Sequence, residues 1–178
     1  METIKGKQFV RLIGKQALDL RITELARILD EEYREKNPVF IGVLNGSFIF
    51  LAEIFKQLTI PCEVSFVKVK SYEGTKSSGQ VRELIGLSED IEDRAVILVE
   101  DIIDTGTTVG ELLPDLLKQK PSSLKILTLL FKKKAFKAGY AIDYVGFEIE
   151  DRFVVGFGLD YDGFGRNYPE ILVAQNNS

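Results

Sequence analysis

The sequence predicts an α/β domain whose mainly parallel, twisted sheet is flanked by helices. Two observations carry this. Apolar runs of strand length alternate with helix-patterned segments along most of the chain, the order expected of repeated strand-crossover-strand units. Several of those runs, "VFIGV", "AVILVE" and "KILTLL", are continuous and rich in Val, Ile and Leu, as strands covered on both faces are. With 178 residues, no internal repeat and no linker, the chain reads as one domain, residues 1–178, able to bury a substantial core.

The elements follow in order. Leu18, Ile22, Leu25, Leu29 and Tyr33 recur every three or four residues, marking an amphipathic helix that stops near Asn37-Pro38. "VFIGV" (39–43) is a buried strand. After Asn45-Gly46, "FIFLAEIF" is too long and apolar for a surface strand and reads as a packed helix. "EVSFVKV" (63–69) alternates and is a strand. The polar segment 70–83, "KSYEGTKSSGQVRE", reads as a mobile loop. "AVILVE" (95–100) is a buried strand, "VGELLPDLLKQ" (109–119) a helix, and "KILTLL" (125–130) a further strand. Pro114 must sit early in its helix or kink it. "DYVGFEI" and "FVVGFGL" supply strands towards the C-terminus.

Composition narrows the chemistry. The chain is 45% hydrophobic and 28% charged, as ordinary globular proteins are. A net charge of −4 and a pI near 5.1 oppose a general nucleic-acid-binding surface. Cys62 is the single cysteine, so no intrachain disulfide forms; beside Pro61 it reads as structural rather than reactive. The opening "METIKGKQFV" lacks a signal-peptide pattern and no apolar run approaches membrane-spanning length, so a cytoplasmic location is expected. There is no histidine, which excludes Ser/His/Asp triads, Cys/His dyads and His-ligated metals. A metal here would be hard and oxygen-bound, Mg²⁺ above all.

The stretch "VILVEDIIDTGTTVG" (96–110) concentrates function. It places Glu100, Asp101 and Asp104 at the end of an apolar run, before Thr105, Gly106, Thr107 and Thr108. In a parallel sheet, ligands gather beyond the carboxyl ends of the strands. Backbone N–H groups of such a turn, with the following helix N-terminus, cradle an anion, while Gly106 permits close approach or positive φ. A phosphate on the loop and hydroxyls or hydrated Mg²⁺ on the acids fit a ribose 5-phosphate. The bland alternative is that Asp104 and the threonines cap the next helix, which leaves Glu100 and Asp101 unexplained.

The same stretch resembles the phosphoribosyl pyrophosphate (PRPP) signature of type I phosphoribosyltransferases. With "VLNGSFIF", "VKSYEGTKSSG", "LLFKKK" and "VGFEIEDRFVVGFGLDYDGFGRN", the resemblance narrows to the hypoxanthine (hypoxanthine-guanine) branch and covers nearly the whole chain. It implies a core of roughly residues 15–150 and a small hood from the N-terminal segment and residues 151–178. It implies a reaction too: a 6-oxopurine base and PRPP yield a nucleoside 5′-monophosphate and pyrophosphate, with Mg²⁺.

The resemblance also implies roles. Glu100 and Asp101 hold ribose hydroxyls and the metal; residues 104–108 hold the 5′-phosphate; Asp104 meets purine N7 as proton acceptor. Lys132 reaches the 6-oxygen, Phe153 stacks on the base, and Val154 and Asp160 read its other edge. Asp160 also meets a second Mg²⁺. Asn45, Gly46 and Arg166 hold pyrophosphate, with a cis peptide at Leu44–Asn45. Many relatives carry Lys or Arg at the position of Asn45, so here backbone donors serve. Ser71 and Tyr72 form a lid. Read without the resemblance, Lys132 is one of a solvated lysine run and Phe153 a core residue. Homodimers or homotetramers are implied, with no nucleic-acid or membrane partner. The alternatives are a xanthine-preferring phosphoribosyltransferase and a PRPP-responsive regulator that binds nucleic acid.

Overall fold

The computed structural model describes residues 1–70, 82–87 and 89–175. Among them, in chain order, are β1 (Glu2–Ile4), β2 (Lys7–Ile13), α1 (Lys15–Glu32), β3 (Val39–Val43), α2 (Phe48–Phe55), β4 (Glu63–Lys70), β5 (Arg82–Ile85), β6 (Ala95–Ile103), α3 (Thr107–Lys118), β7 (Ser123–Phe131), β8 (Tyr144–Glu148), β9 (Val154–Val155) and β10 (Ile171–Ala174). Strands in the order β5-β4-β3-β6-β7-β8 form one sheet, parallel from β4 through β8 and closed at one edge by antiparallel β5. This is the parallel α/β core the sequence predicts.

Strand alternation divides the core in two. On one face Phe40, Ile97, Val99, Leu127 and Leu129 pack against Leu18, Ile22, Leu25, Leu29 and Tyr33 of the α1 segment and Phe50, Leu51 and Ile54 of α2. On the other, Val39, Ile41, Val43, Val96, Leu98 and Ile126 pack against Val109, Leu112 and Leu116 of α3. The apolar face read from the periodicity of α1 is therefore the face it buries. Pro114 stands eighth of the twelve residues of α3, beyond the first turn where proline is tolerated freely. Cys62 is half-buried at the edge of the first cluster, and burial with nearby Asp30 pushes its thiol pKa up, away from the reactive thiolate.

A second, antiparallel sheet runs β1-β2-β10-β9 and joins the two ends of the chain. It holds its own cluster of Ile4, Phe9, Val155, Leu172 and Ala174. Three sequence expectations change here. The stretch "FVVGFGL" yields only the two residues of β9, because Gly156, Phe157 and Gly158 turn the chain through φ of 100°, 51° and 106°. The expected loop 70–83 loses its ends to strands: Lys70 pairs with Arg82 and Val69 with Glu83. Strand β6 runs three residues past the expected end at Glu100, to Ile103, so Asp101 too stands within the strand.

Candidate active site

The carboxyl ends of β3, β6 and β7 meet the turn before β9, and four segments converge there. After β3, the Leu44–Asn45 peptide is cis, as the resemblance implies. Ser47, fully buried, donates its hydroxyl to the Val43 carbonyl at 2.7 Å and closes the turn into α2. Between them lies Gly46, and a Cβ there would stand 1.6 Å from Asp101 Oδ2. The acid of β6 thus rests directly on the Asn45-Gly46 backbone, which only glycine permits. The turn through Gly158 presses on the same spot, since a Cβ at Gly158 would lie 2.1 Å from the Gly46 carbonyl oxygen.

Alternation sends Glu100 and Asp101 to opposite faces of β6. Glu100 is buried, and among the described residues its Oε2 has no hydrogen-bond partner. Burial, reinforced by the charge of Asp101, pushes its pKa well above the ordinary glutamate value. Its charge in turn adds to the effect of burial on Tyr140, whose pKa rises to about 12. Asp101 Oδ1 accepts the Ile102 N–H at 2.7 Å. Burial dominates its titration and lifts its pKa to about 6, although the Ile102 N–H and the Arg166 cation pull the other way.

That value fixes a prediction. Between about pH 4 and about pH 6 the unfolded chain has released the Asp101 proton while the folded chain still largely holds it. The folded state then binds more protons, so the contribution of Asp101 to stability falls as pH rises through this window. In chelator, the melting temperature of Asp101→Asn relative to the unaltered protein should therefore climb from pH 4 to pH 7. A difference constant across that range would show that Asp101 titrates alike in the folded and unfolded chain.

Beyond β6, Thr105, Thr107 and Thr108 are exposed and Gly106 is buried at φ 88°. A Cβ at Gly106 would lie 2.7–2.8 Å from Phe136, Ala138 and Tyr140, so the turn is seated against the 136–140 segment. The Tyr140 hydroxyl donates to the Gly106 carbonyl at 2.8 Å and the Lys137 N–H to Thr105 at 3.1 Å. These bonds engage the Thr105 and Gly106 carbonyls, and no side chain caps the N-terminus of α3 among the described residues. Among the described residues, the nearest side-chain acceptor to the first turn of α3 is Thr105 Oγ1, 3.5 Å from the Thr107 nitrogen. Thr105 Oγ1 and Thr107 Oγ1 lie 2.9 Å apart. Asp104 does not cap the helix. Its carboxylate instead accepts from Lys132 Nζ at 2.6 Å. The helix end is thus open to an anion.

Lys132 follows β7 and is only 7% exposed, whereas its neighbour Lys133 is exposed and pairs with Glu148. Burial disfavours the Lys132 ammonium, but hydrogen bonds to Asp104 and to Asp151, the latter at 3.0 Å, outweigh it and hold its pKa above the usual lysine value. The side chain is a fixed cation, not a solvated one.

Phe153 is 44% exposed, with its ring 5.5 Å from Tyr161 and 6.3 Å from Phe9. Lys7 Nζ lies 5.0 Å from its centroid, a cation–π contact. Val154 is buried in β9. Arg166 pairs with Asp160 at 2.6 Å and donates to the Gly158 carbonyl at 2.6 Å, while Asp160 Oδ2 accepts the Gly163 N–H. Asp160 adds repulsion, and Arg166 attraction, at Asp101.

The structure thus joins Gly46, Asp101, Gly158, Asp160 and Arg166 on one side and Asp104, Lys132 and Asp151 on the other. Among the described residues no three acids gather as a metal cage, and Asp160 is committed to Arg166 and Gly163. Ser71 and Tyr72 lie outside the described residues. Asp151 and Lys7 escaped the sequence reading. An acid two residues before Phe153 was the available signal for the first; for Lys7 there was none, since β2 meets Phe153 only through the second sheet.

Fold and site together define the class, a type I phosphoribosyltransferase fold: an acid pair at the end of a central parallel strand, then an open threonine-rich turn. The family model described as a phosphoribosyl transferase domain matches residues 13–162. The chain is 40% identical over 178 residues to a hypoxanthine-guanine phosphoribosyltransferase of Aquifex aeolicus, covering 99% of this chain and 100% of that one. It is 43% identical over 169 residues to a hypoxanthine-guanine-xanthine phosphoribosyltransferase of Tritrichomonas foetus, covering 93% and 91% of the two. The crystal structure of a Bacillus anthracis hypoxanthine-guanine phosphoribosyltransferase superposes with a TM-score of 0.87 at 35% identity, covering 92% of this chain and 97% of that one. The chain belongs to the phosphoribosyltransferase family, among its hypoxanthine-guanine members. No helix among the described residues is long and apolar enough to cross a membrane.

Proposed function

We propose that this chain transfers the 5-phosphoribosyl group of PRPP to hypoxanthine or guanine, releasing pyrophosphate, in purine salvage. The observation that carries the reading is the buried Lys132 ammonium held 2.6 Å from Asp104, beside an open phosphate-sized turn. An ammonium only donates, so it accepts a 6-oxygen as partner and rejects a 6-amino group. Asp104 receives the N7 proton, and its placement contributes more than its basicity. The open N–H groups of α3 with Thr105, Thr107 and Thr108 bind the 5′-phosphate. Asn45 and Gly46 backbone groups and Arg166 bind pyrophosphate. Phe153 stacks on the base, while backbone groups near Val154 and Asp160 meet its 2-position edge.

The residues also fit a divalent cation. Among the described residues Glu100 carries a buried oxygen with no partner, and the Asp101 carboxylate lies against Gly46. Standing on opposite faces of β6, the two acids would not close on one ion together; either would hold Mg²⁺ with substrate oxygens completing the shell, and Asp160 would serve a second ion only by leaving Arg166. When bound, Mg²⁺ neutralises charge on the departing pyrophosphate and orients it. Ser71 and Tyr72 are assigned as a lid that excludes water from the ribosyl cation. The chain acts as one domain, with the second sheet as a hood over the base, in a cytoplasmic homodimer or homotetramer; this part rests on the family resemblance.

Initial rates with PRPP, Mg²⁺ and each of four bases test the proposal. Hypoxanthine and guanine should be substrates, xanthine poor and adenine essentially inactive. A preference for adenine would overturn it.

A further inference from the structure

An ammonium has three donors. In Lys132 one reaches Asp104 Oδ2 at 2.6 Å and another Asp151 Oδ1 at 3.0 Å, and the side chain that holds them is buried. Asp104 belongs to the turn after β6, Asp151 to the turn between β8 and β9. The two acids therefore grip one cation from separate segments. In this arrangement the shorter of the two Lys132 bonds goes to Asp104 Oδ2, so a base that meets both residues competes with that bond.

We propose that Asp151 is a positioning residue that lets Lys132 exchange Asp104 for the 6-oxygen of the incoming base. The inference rests on the roles assigned above to Lys132 and Asp104. Its physical basis is the cost of stranding a charge. If Asp104 were the only acceptor, its release would leave a buried ammonium bare until the base arrived, which is costly. Asp151 keeps one charge-assisted bond in place throughout the exchange. The exchange then turns recognition into chemistry. A 6-oxygen draws Lys132 off Asp104, and the freed carboxylate can take the N7 proton. A 6-amino group offers no acceptor, so Lys132 stays on Asp104 and its charge weakens that carboxylate as a proton acceptor. Adenine is thereby excluded at turnover as well as at binding.

Steady-state kinetics on Asp151→Asn, Asp151→Glu and Lys132→Gln test this, with melting curves alongside. Asp151→Asn should lower kcat/KM for hypoxanthine by about three- to tenfold, the scale of one partly exposed charged hydrogen bond. The KM for PRPP and the melting temperature should hold, and Asp151→Glu should recover most of the loss. Lys132→Gln should erode discrimination between hypoxanthine and adenine, because an amide offers both a donor and an acceptor. If Lys132→Gln does so while Asp151→Asn is unaltered, the positioning role is overturned and the assignment of Lys132 stands. If Asp151→Asn loses melting temperature and raises the KM for PRPP in step with that for hypoxanthine, Asp151 is structural and the proposal is likewise overturned. Unchanged discrimination in Lys132→Gln overturns the underlying reading itself.

Discussion

Asp104→Asn is expected to slow turnover by about 10²–10⁴-fold, the usual contribution of a positioned proton acceptor, while PRPP binding stays largely intact. The structure separates the two effects. Phosphate binding is assigned to the open N–H groups of α3 and the hydroxyls of Thr105, Thr107 and Thr108, none of which Asp104 supports by a hydrogen bond among the described residues. Its carboxylate faces the other way, to Lys132. Asparagine retains the shape of the turn and an oxygen for Lys132 but cannot accept and hold a proton as a carboxylate does. Turnover and PRPP affinity should be measured on the same preparation. Turnover at the level of the unaltered protein would reduce Asp104 to a residue that shapes the loop.

Gly46→Ala is expected to be as damaging, for a steric reason. The added methyl would stand 1.6 Å from Asp101 Oδ2 and 2.3 Å from its Cγ, far inside contact distance. Either Asp101 swings off its place or the Asn45-Gly46 backbone lifts, and the Gly158 turn against the Gly46 carbonyl limits the second escape. A displacement on the order of 1 Å in a catalytic arrangement can cost about 10²-fold in rate. The loss should fall on kcat/KM for PRPP, since the affected groups are those assigned to pyrophosphate and metal. Gly139→Ala is the matched control, because a Cβ there meets nothing within 4 Å. Near-normal kinetics in Gly46→Ala would show that the Asp101–Gly46 contact is irrelevant to the site.

How much of this could be read from the sequence follows from how local each signal is. The helix over Lys15–Glu32 and the strands Val39–Val43, Ala95–Ile103 and Ser123–Phe131 carry their pattern within a few residues, and periodicity finds them. Strands β1, β5 and β10 are short, and in the seven-residue β2 only Phe9 is buried; all are held by partners elsewhere in the chain. The N-terminal Phe9, for example, pairs with Ala174. Site residues divide in the same way. Glu100, Asp101, Asp104 and the threonines stand out because polar residues interrupt an apolar run. Nothing in "FKKK" separates Lys132 from Lys133 and Lys134; the end of β7 at Phe131 decides, by turning Lys132 inward to Asp104 and Asp151. Phe153, which reads as core, is exposed on the rim of an aromatic cluster, where a planar base can reach it.

Transfer of a phosphoribosyl group to a 6-oxopurine, and to no 6-aminopurine, is tested most directly by incubating the purified protein with PRPP, Mg²⁺ and an equimolar mixture of hypoxanthine and adenine, and following both nucleotides and pyrophosphate. Inosine monophosphate and pyrophosphate should form in equal amounts, with adenine left unconsumed. Consumption of adenine ahead of hypoxanthine, or loss of PRPP without any nucleoside monophosphate, would contradict it.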